Sequence, residues 1–149
     1  MGRIIGKALF DGQRIHNIFV PYLYKFIAGV PITLDDLKEF DPQYIDLLQQ
    51  LESHDDVSAL GLNFTVTENI PFSTETRTAK LFRGGKDIKV TRENLPVYEK
   101  ALMRYVLFGR IRPQLTGLLC GIFEVVPRAM LSVFDPLELE VLLCGSASR

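Results

Sequence analysis

The sequence predicts an α+β fold that is mainly α-helical, and three observations carry that expectation. Most of the chain divides into short apolar segments spaced like a helix face, each bounded by a start or stop signal. One stretch from Leu60 to Val66 instead alternates apolar and polar residues. Strands and helices do not alternate along the chain, which argues against a doubly wound βαβ domain.

The elements are expected in the following order. Residues 3–10 carry Ile4, Ile5, Ala8 and Leu9 as an apolar stripe, broken by Asp11-Gly12. No Ser, Thr, Asp or Asn caps this helix, as expected of a chain cut from something longer. A second helix is expected over 18–27, with Gly29 as its C-terminal cap. Thr33 is an N-cap with Asp35 and Asp36 in the first turn, where the helix dipole favours negative charge. That short helix ends near Phe40. Asp41-Pro42 is a further start signal, a cap followed by proline at the first helical position, for a helix to about Glu52.

From Leu60, the alternation of Leu62, Phe64 and Val66 with Asn63, Thr65 and Thr67 predicts a half-buried strand. A second strand is expected over 76–82, a turn at Gly84-Gly85, and a third extended piece at Ile88 and Val90. Helix resumes over 94–108. Asn94 serves as its cap, because Pro96 has no amide to donate and delays the start. Pro113 opens the next helix, Pro127 stops it, and short helices over 128–133 and 136–143 follow. The small, polar residues 145–149 suit a linker or a frayed terminus.

At 149 residues, with 47 % hydrophobic and 23 % charged residues, the chain is long enough for one core and too apolar for disorder. A net charge of −1 and scattered cations such as Arg104, Arg110 and Arg112 give no nucleic-acid footprint. No apolar run reaches the length of a membrane span, and no signal-peptide layout is present. A soluble protein of the cytoplasm is expected, with the nucleus as a second compartment.

Few residues suggest chemistry of their own. Gly84-Gly85 lacks the lysine and serine of a phosphate loop. His16 and His54 stand apart from any acidic or cysteine partner at ligand spacing, so no metal and no other cofactor is expected. Ser132, Ser146 and Ser148 have no nucleophile-elbow context. Asp35-Asp36 and Asp55-Asp56 read as capping and loop carboxylates. Cys120 and Cys144 sit in apolar runs without the positive setting that activates a thiolate, so both are expected to be structural.

Read as strings, several stretches resemble the N-terminal lobe of HECT ubiquitin ligases. They begin with Gly6-Lys7-Ala8-Leu9-Phe10 and Asp11-Gly12-Gln13, then Gly29-Val30-Pro31-Ile32-Thr33 and Asp41-Pro42-Gln43-Tyr44. Leu60-Gly61-Leu62-Asn63-Phe64, Gly84-Gly85-Lys86-Asp87-Ile88 and Leu142-Leu143-Cys144-Gly145 continue the likeness in the family's order. The ordered set covers essentially the whole chain.

The resemblance implies a helical subdomain, 1–40 with 109–144, into which a small hairpin-and-helix subdomain, 41–108, is inserted; 145–149 would begin the hinge. It implies recruitment of a ubiquitin-conjugating enzyme, with ubiquitin arriving as that enzyme's thioester and substrates held by regions outside this chain. The catalytic cysteine of such ligases lies beyond the hinge, so none is expected here, and the chain alone is expected to be inactive. The docking residues implied are Tyr44, Leu47, Leu48 and Leu51 on the helix after Asp41, Leu60 and Leu62 beyond it, and Tyr98 and Leu102. By pattern alone the Tyr44, Leu47, Leu48 and Leu51 stripe reads as packing on its own domain; the resemblance favours a shared groove. Two departures stand out. Pro96 falls where the family runs continuous helix, and Leu118 replaces the aromatic of a ubiquitin-binding patch, so that activity is not carried over. A non-catalytic helical interaction module, or a degenerate ligase remnant, is the alternative; a thiol enzyme using Cys120 or Cys144 is a third.

Overall fold

The computed structural model describes residues 1–16, 19–69 and 74–145. Its elements are α1 (Gly2–Asp11), α2 (Pro21–Ala28), α3 (Leu34–Phe40), α4 (Pro42–Ser53), β1 (Thr65–Asn69), β2 (Thr76–Lys80), α5 (Leu95–Arg104), α6 (Arg112–Val125), α7 (Arg128–Leu131) and α8 (Pro136–Cys144). The fold is α+β and mainly helical, as its sequence predicts. Packing divides it into two units, Met1–Asp36 with Ile111–Arg149, and Leu37–Arg110.

In the discontinuous unit, α1 packs along α6, and α2 packs on α8 and α7. Ile5, Tyr24, Ile27, Ile122, Leu139 and Leu143 meet in one buried cluster. Each such side chain contributes about 1.5–3 kcal/mol by leaving water. The α1–α6 crossing depends on glycine. A Cβ built on Gly2 would stand 2.1 Å from the Leu118 carbonyl oxygen, and one on Gly121 would stand 2.9 Å from Gly2 Cα. Proline starts α2 at Pro21, three residues after the expected start; Ile18 itself lies outside the described residues, as do 146–149. Asp135 and Glu138 close a full capping box on α8.

Asp36, like Glu140, is a buried charge of this unit. Its carboxylate accepts from the Lys25 ammonium at 2.6 Å, the Thr33 amide at 2.8 Å and the Thr33 hydroxyl at 3.1 Å. Thr33 therefore donates to the first turn of α3 through both its groups. Burial alone would push the Asp36 carboxyl up; the Lys25 and Thr33 hydrogen bonds outweigh it and hold the group below its ordinary range.

In the continuous unit, Asp41 caps α4 by accepting from the Gln43 amide, with Pro42 in the first turn. β1 and β2 pair antiparallel, with Val66 opposite Ala79 and Glu68 opposite Arg77. The expected strand from Leu60 starts later than the alternation suggests. Asp56 accepts from the Ser58 and Ala59 amides and folds Val57–Leu60 into a 3₁₀ turn, so β1 begins only at Thr65. The second strand likewise stops at Lys80, short of Phe82. The third extended piece reduces to a single bridge, Asn63 to Lys89, with the Val90 amide donating to the Leu62 carbonyl.

The expected 94–108 helix is two pieces. α5 ends at Arg104 and passes into one π-helical turn, Tyr105–Gly109, in which the Arg110 amide donates to the Tyr105 carbonyl. Gly109 makes room for it, since a Cβ there would stand 2.6 Å from the Tyr105 ring. Pro96 falls in the first turn of α5, where its missing amide leaves no intrahelical bond unmade. Asn94 does precede the helix, but its side chain faces back. It accepts from the Thr91 amide at 2.8 Å and donates to the Lys89 carbonyl at 2.9 Å, so it braces the preceding turn and leaves the helix uncapped.

Candidate functional site

The implied docking residues all fall in Leu37–Arg110, and burial divides them. On α4, Leu48 and Leu51 turn inward and are buried. Leu47, on the adjoining face, is 39 % exposed, and Tyr44, one turn before it, is half-buried. Leu60, the last residue of the 3₁₀ turn, is 41 % exposed, and Leu62 is half-buried. Neither lies on a strand.

On α5 the pattern reverses. Tyr98 is 5 % exposed and Leu102 less, so both belong to the interior of the unit. Val97, a residue without an implied role, is 57 % exposed instead. The wide apolar arc of α5 is therefore split, with Tyr98 and Leu102 inward and Val97 outward. The Tyr98 ring packs on Phe64, which also meets Phe82 at 4.8 Å. Burial, with the nearby Tyr44 phenol, raises the Tyr98 hydroxyl above its ordinary pKa. Tyr44 and Tyr98 differ in burial, the first half-buried and the second in the interior.

A polar cluster surrounds Tyr44. Arg110 donates to the Tyr44 hydroxyl, and its guanidinium lies 5.4 Å from the Tyr44 ring centre and 6.0 Å from that of Tyr105. Its Nε stands 3.4 Å from Glu68 Oε1, close enough for an ion pair but without a hydrogen bond. Glu68 also accepts from the Tyr105 hydroxyl and pairs with Arg77 across the hairpin at 3.4 Å. Burial first, then Glu68, raises the Tyr105 phenol above its ordinary pKa. Sequence reading misses Arg110, Glu68 and Tyr105, because Tyr44 and Arg110 lie 66 positions apart and no motif links them.

The two thiols sit in the other unit. Cys120 is exposed on α6, and Cys144, half-buried at the end of α8, has its sulfur 3.3 Å from the buried Tyr24 hydroxyl. Burial, Cys144 and Glu140 together raise the Tyr24 phenol. Asp56 caps the 3₁₀ turn and Asp36 binds Lys25, so both serve local structure. Among the described residues no group of three or more His, Cys, Asp or Glu could hold a metal, and no helix is long and apolar enough to cross a membrane.

A family model described as HECT-domain (ubiquitin-transferase) matches residues 1–149. Among curated proteins the chain is similar to the E3 ubiquitin-protein ligase UPL2 of Arabidopsis thaliana, at 35 % identity over 150 residues. It is also similar to the E3 ubiquitin-protein ligase HACE1 of Xenopus tropicalis, at 33 % over 144 residues, and to the E3 ubiquitin-protein ligase NEDD4 of Homo sapiens, at 31 % over 145. Each alignment takes in 97 % of this chain but only 4 %, 16 % and 11 % of those proteins, in the same order. A match that runs through both units, from the first residue to the last, leaves one assignment: the chain belongs to the HECT-domain (ubiquitin-transferase) family.

Proposed function

We propose that this chain is the conjugating-enzyme-recruiting part of a HECT ubiquitin-protein ligase, and that docking centres on Leu47 and Leu60. One observation carries the reading. In a chain of this family, Leu47 and Leu60 stay well exposed while Leu48 and Leu51, on the same helix as Leu47, are buried. Single exposed leucines are ordinary on a protein surface. What gives these two weight is that they are the positions where the family resemblance places a partner's apolar loop.

In the whole protein, ubiquitin would pass from the conjugating enzyme to a ligase cysteine and then to a substrate lysine. Neither thiol of this chain is assigned that role. An attacking thiolate needs a positive neighbour; Cys144 has a phenol beside it. The buried Leu48, Leu51, Tyr98 and Leu102 act in docking only by supporting the exposed pair.

Titration of the labelled chain with a panel of ubiquitin-conjugating enzymes tests the reading. At least one should bind, and Leu47→Ala and Leu60→Ala should each weaken it about tenfold, equivalent to about 1.4 kcal/mol. A panel without a binder, or parent-like binding by both variants, overturns it. Incubation with ubiquitin-charged enzyme should give no reducible adduct on Cys120 or Cys144. A fluorescent fusion should appear in the cytoplasm and nucleus.

A further inference from the structure

Arginines from outside α4 hold it at both ends. At the N-terminal end, Arg110 donates to the Tyr44 hydroxyl. The same guanidinium pairs with Glu68 on β1, and Glu68 is fixed in turn by Tyr105 and Arg77. At the C-terminal end, Arg92 donates to the Glu52 carbonyl at 2.5 Å and lies 3.5 Å from that of His54. The last carbonyls of a helix have no partner within it, and a cation there also suits the helix dipole.

Leu47 lies between these two grips, one turn from Tyr44. Leu48 and Leu51 keep α4 against the interior of the unit. Apolar burial is non-directional, so it draws the helix inward without fixing its rotation or its slide along the axis. Hydrogen bonds are directional, and those at the two ends supply what packing leaves open.

We propose that Arg110 and Arg92 form a two-ended clamp that sets the pose of α4 and so presents Leu47 to the conjugating enzyme. The inference rests on the docking reading above. Both arginines are positioning residues, since they act through Tyr44 and the helix end and need not touch the partner. Arg110 engages a hydroxyl, a carboxylate and two rings at once, which the planar guanidinium allows and an ammonium does not. The Arg92 contact is exposed, so losing it costs little folding stability, while losing the largely buried Arg110 costs somewhat more because Glu68 gives up a cation. A helix held in its binding pose instead reduces the ordering that binding must impose.

The test is made on the whole chain with the conjugating enzyme that binds the parent most tightly. Arg110→Gln is expected to weaken binding about tenfold and Arg92→Gln about threefold, while the Tm of each stays within a few degrees of the parent. Arg110→Lys recovers only part of the loss, because it restores the charge without the fork. Tyr44→Phe weakens binding in the parent but adds nothing to Arg110→Gln, a coupling in Kd that a merely structural arginine would not produce. Parent-like binding by Arg110→Gln and Arg92→Gln, with affinity still lost in Leu47→Ala, overturns the clamp and leaves the docking reading standing. Absence of binding by the parent overturns both.

Discussion

The Tyr98 ring meets the Phe64 ring edge-on, with centroids 5.4 Å apart and planes at 83°. Such a pair contributes about 0.5–1.5 kcal/mol beyond the area it buries. Tyr98→Ala removes the ring from a position only 5 % exposed and is expected to cost about 3–5 kcal/mol in urea unfolding. Tyr98→Phe keeps the ring pair and should stay within about 0.5 kcal/mol of the parent. A failure of Tyr98→Ala to bind a partner would therefore report a lost core, and Tyr98→Phe, which keeps that core, should bind like the parent.

Neighbouring leucines on α4 should separate cleanly. Leu48→Ala opens a cavity at a buried site and is expected to cost about 2–5 kcal/mol. Leu47→Ala, at a well-exposed site, should change unfolding free energy by no more than about 0.5 kcal/mol. Denaturant titration of the two variants side by side checks the assignment of inward and outward faces.

Acid should act on the chain through Asp36. Its carboxyl titrates lower in the folded state than its ordinary value of 3.8, so the unfolded chain takes up the proton more readily. The stability it contributes is complete above that ordinary value and is lost as pH falls through the lower, folded one. Asp36→Asn leaves Lys25 without its carboxylate; with Lys25 one-third exposed, the expected cost at neutral pH is about 1–2 kcal/mol. Thermal unfolding of parent and variant from about pH 6 to pH 2 should show the difference shrinking at the acid end.

Gly121→Ala sets helix propensity against sterics. Alanine gains about 1 kcal/mol in a helix interior. The new Cβ would stand 2.8 Å from the Arg3 backbone nitrogen and 2.9 Å from Gly2 Cα, both main-chain atoms that no rotamer change can move. Separating α1 from α6 costs about 1–3 kcal/mol, so a net fall in Tm is expected.

Several helix starts were legible because they are written locally. Asp41-Pro42 and Asp135-Pro136 both begin helices where a cap and a first-turn proline stand together. Alternation was a weaker guide. Leu60 and Leu62 continue the apolar rhythm of Phe64 and Val66, yet Asp56 captures two amides and curls the intervening chain into a turn before β1 can start. The 94–108 segment carries unbroken helical spacing, and spacing does not reveal that Gly109 admits the Tyr105 ring and loosens the last turn. Of the implied docking residues, the sequence marks all eight as apolar or aromatic but not which face the interior. That division is made by tertiary packing, as with Tyr98 inward and Val97 outward. The Arg110 cluster was the least legible part, since its members come from α4, β1 and the π turn.

A π turn differs from an α-helix by one additional residue in its loop. The turn from Tyr105 to Gly109 therefore behaves as a spacer one residue long. Deleting a residue there would let ordinary helix run on, because the Arg110 amide, which now reaches five residues back to the Tyr105 carbonyl, would reach it four residues back. Arg110 would keep that bond as an ordinary helical one and stay beside the Tyr44 hydroxyl and Glu68. The loss would fall instead on the buried Val106 and Leu107, so this stretch is constrained more by what those side chains fill than by its length.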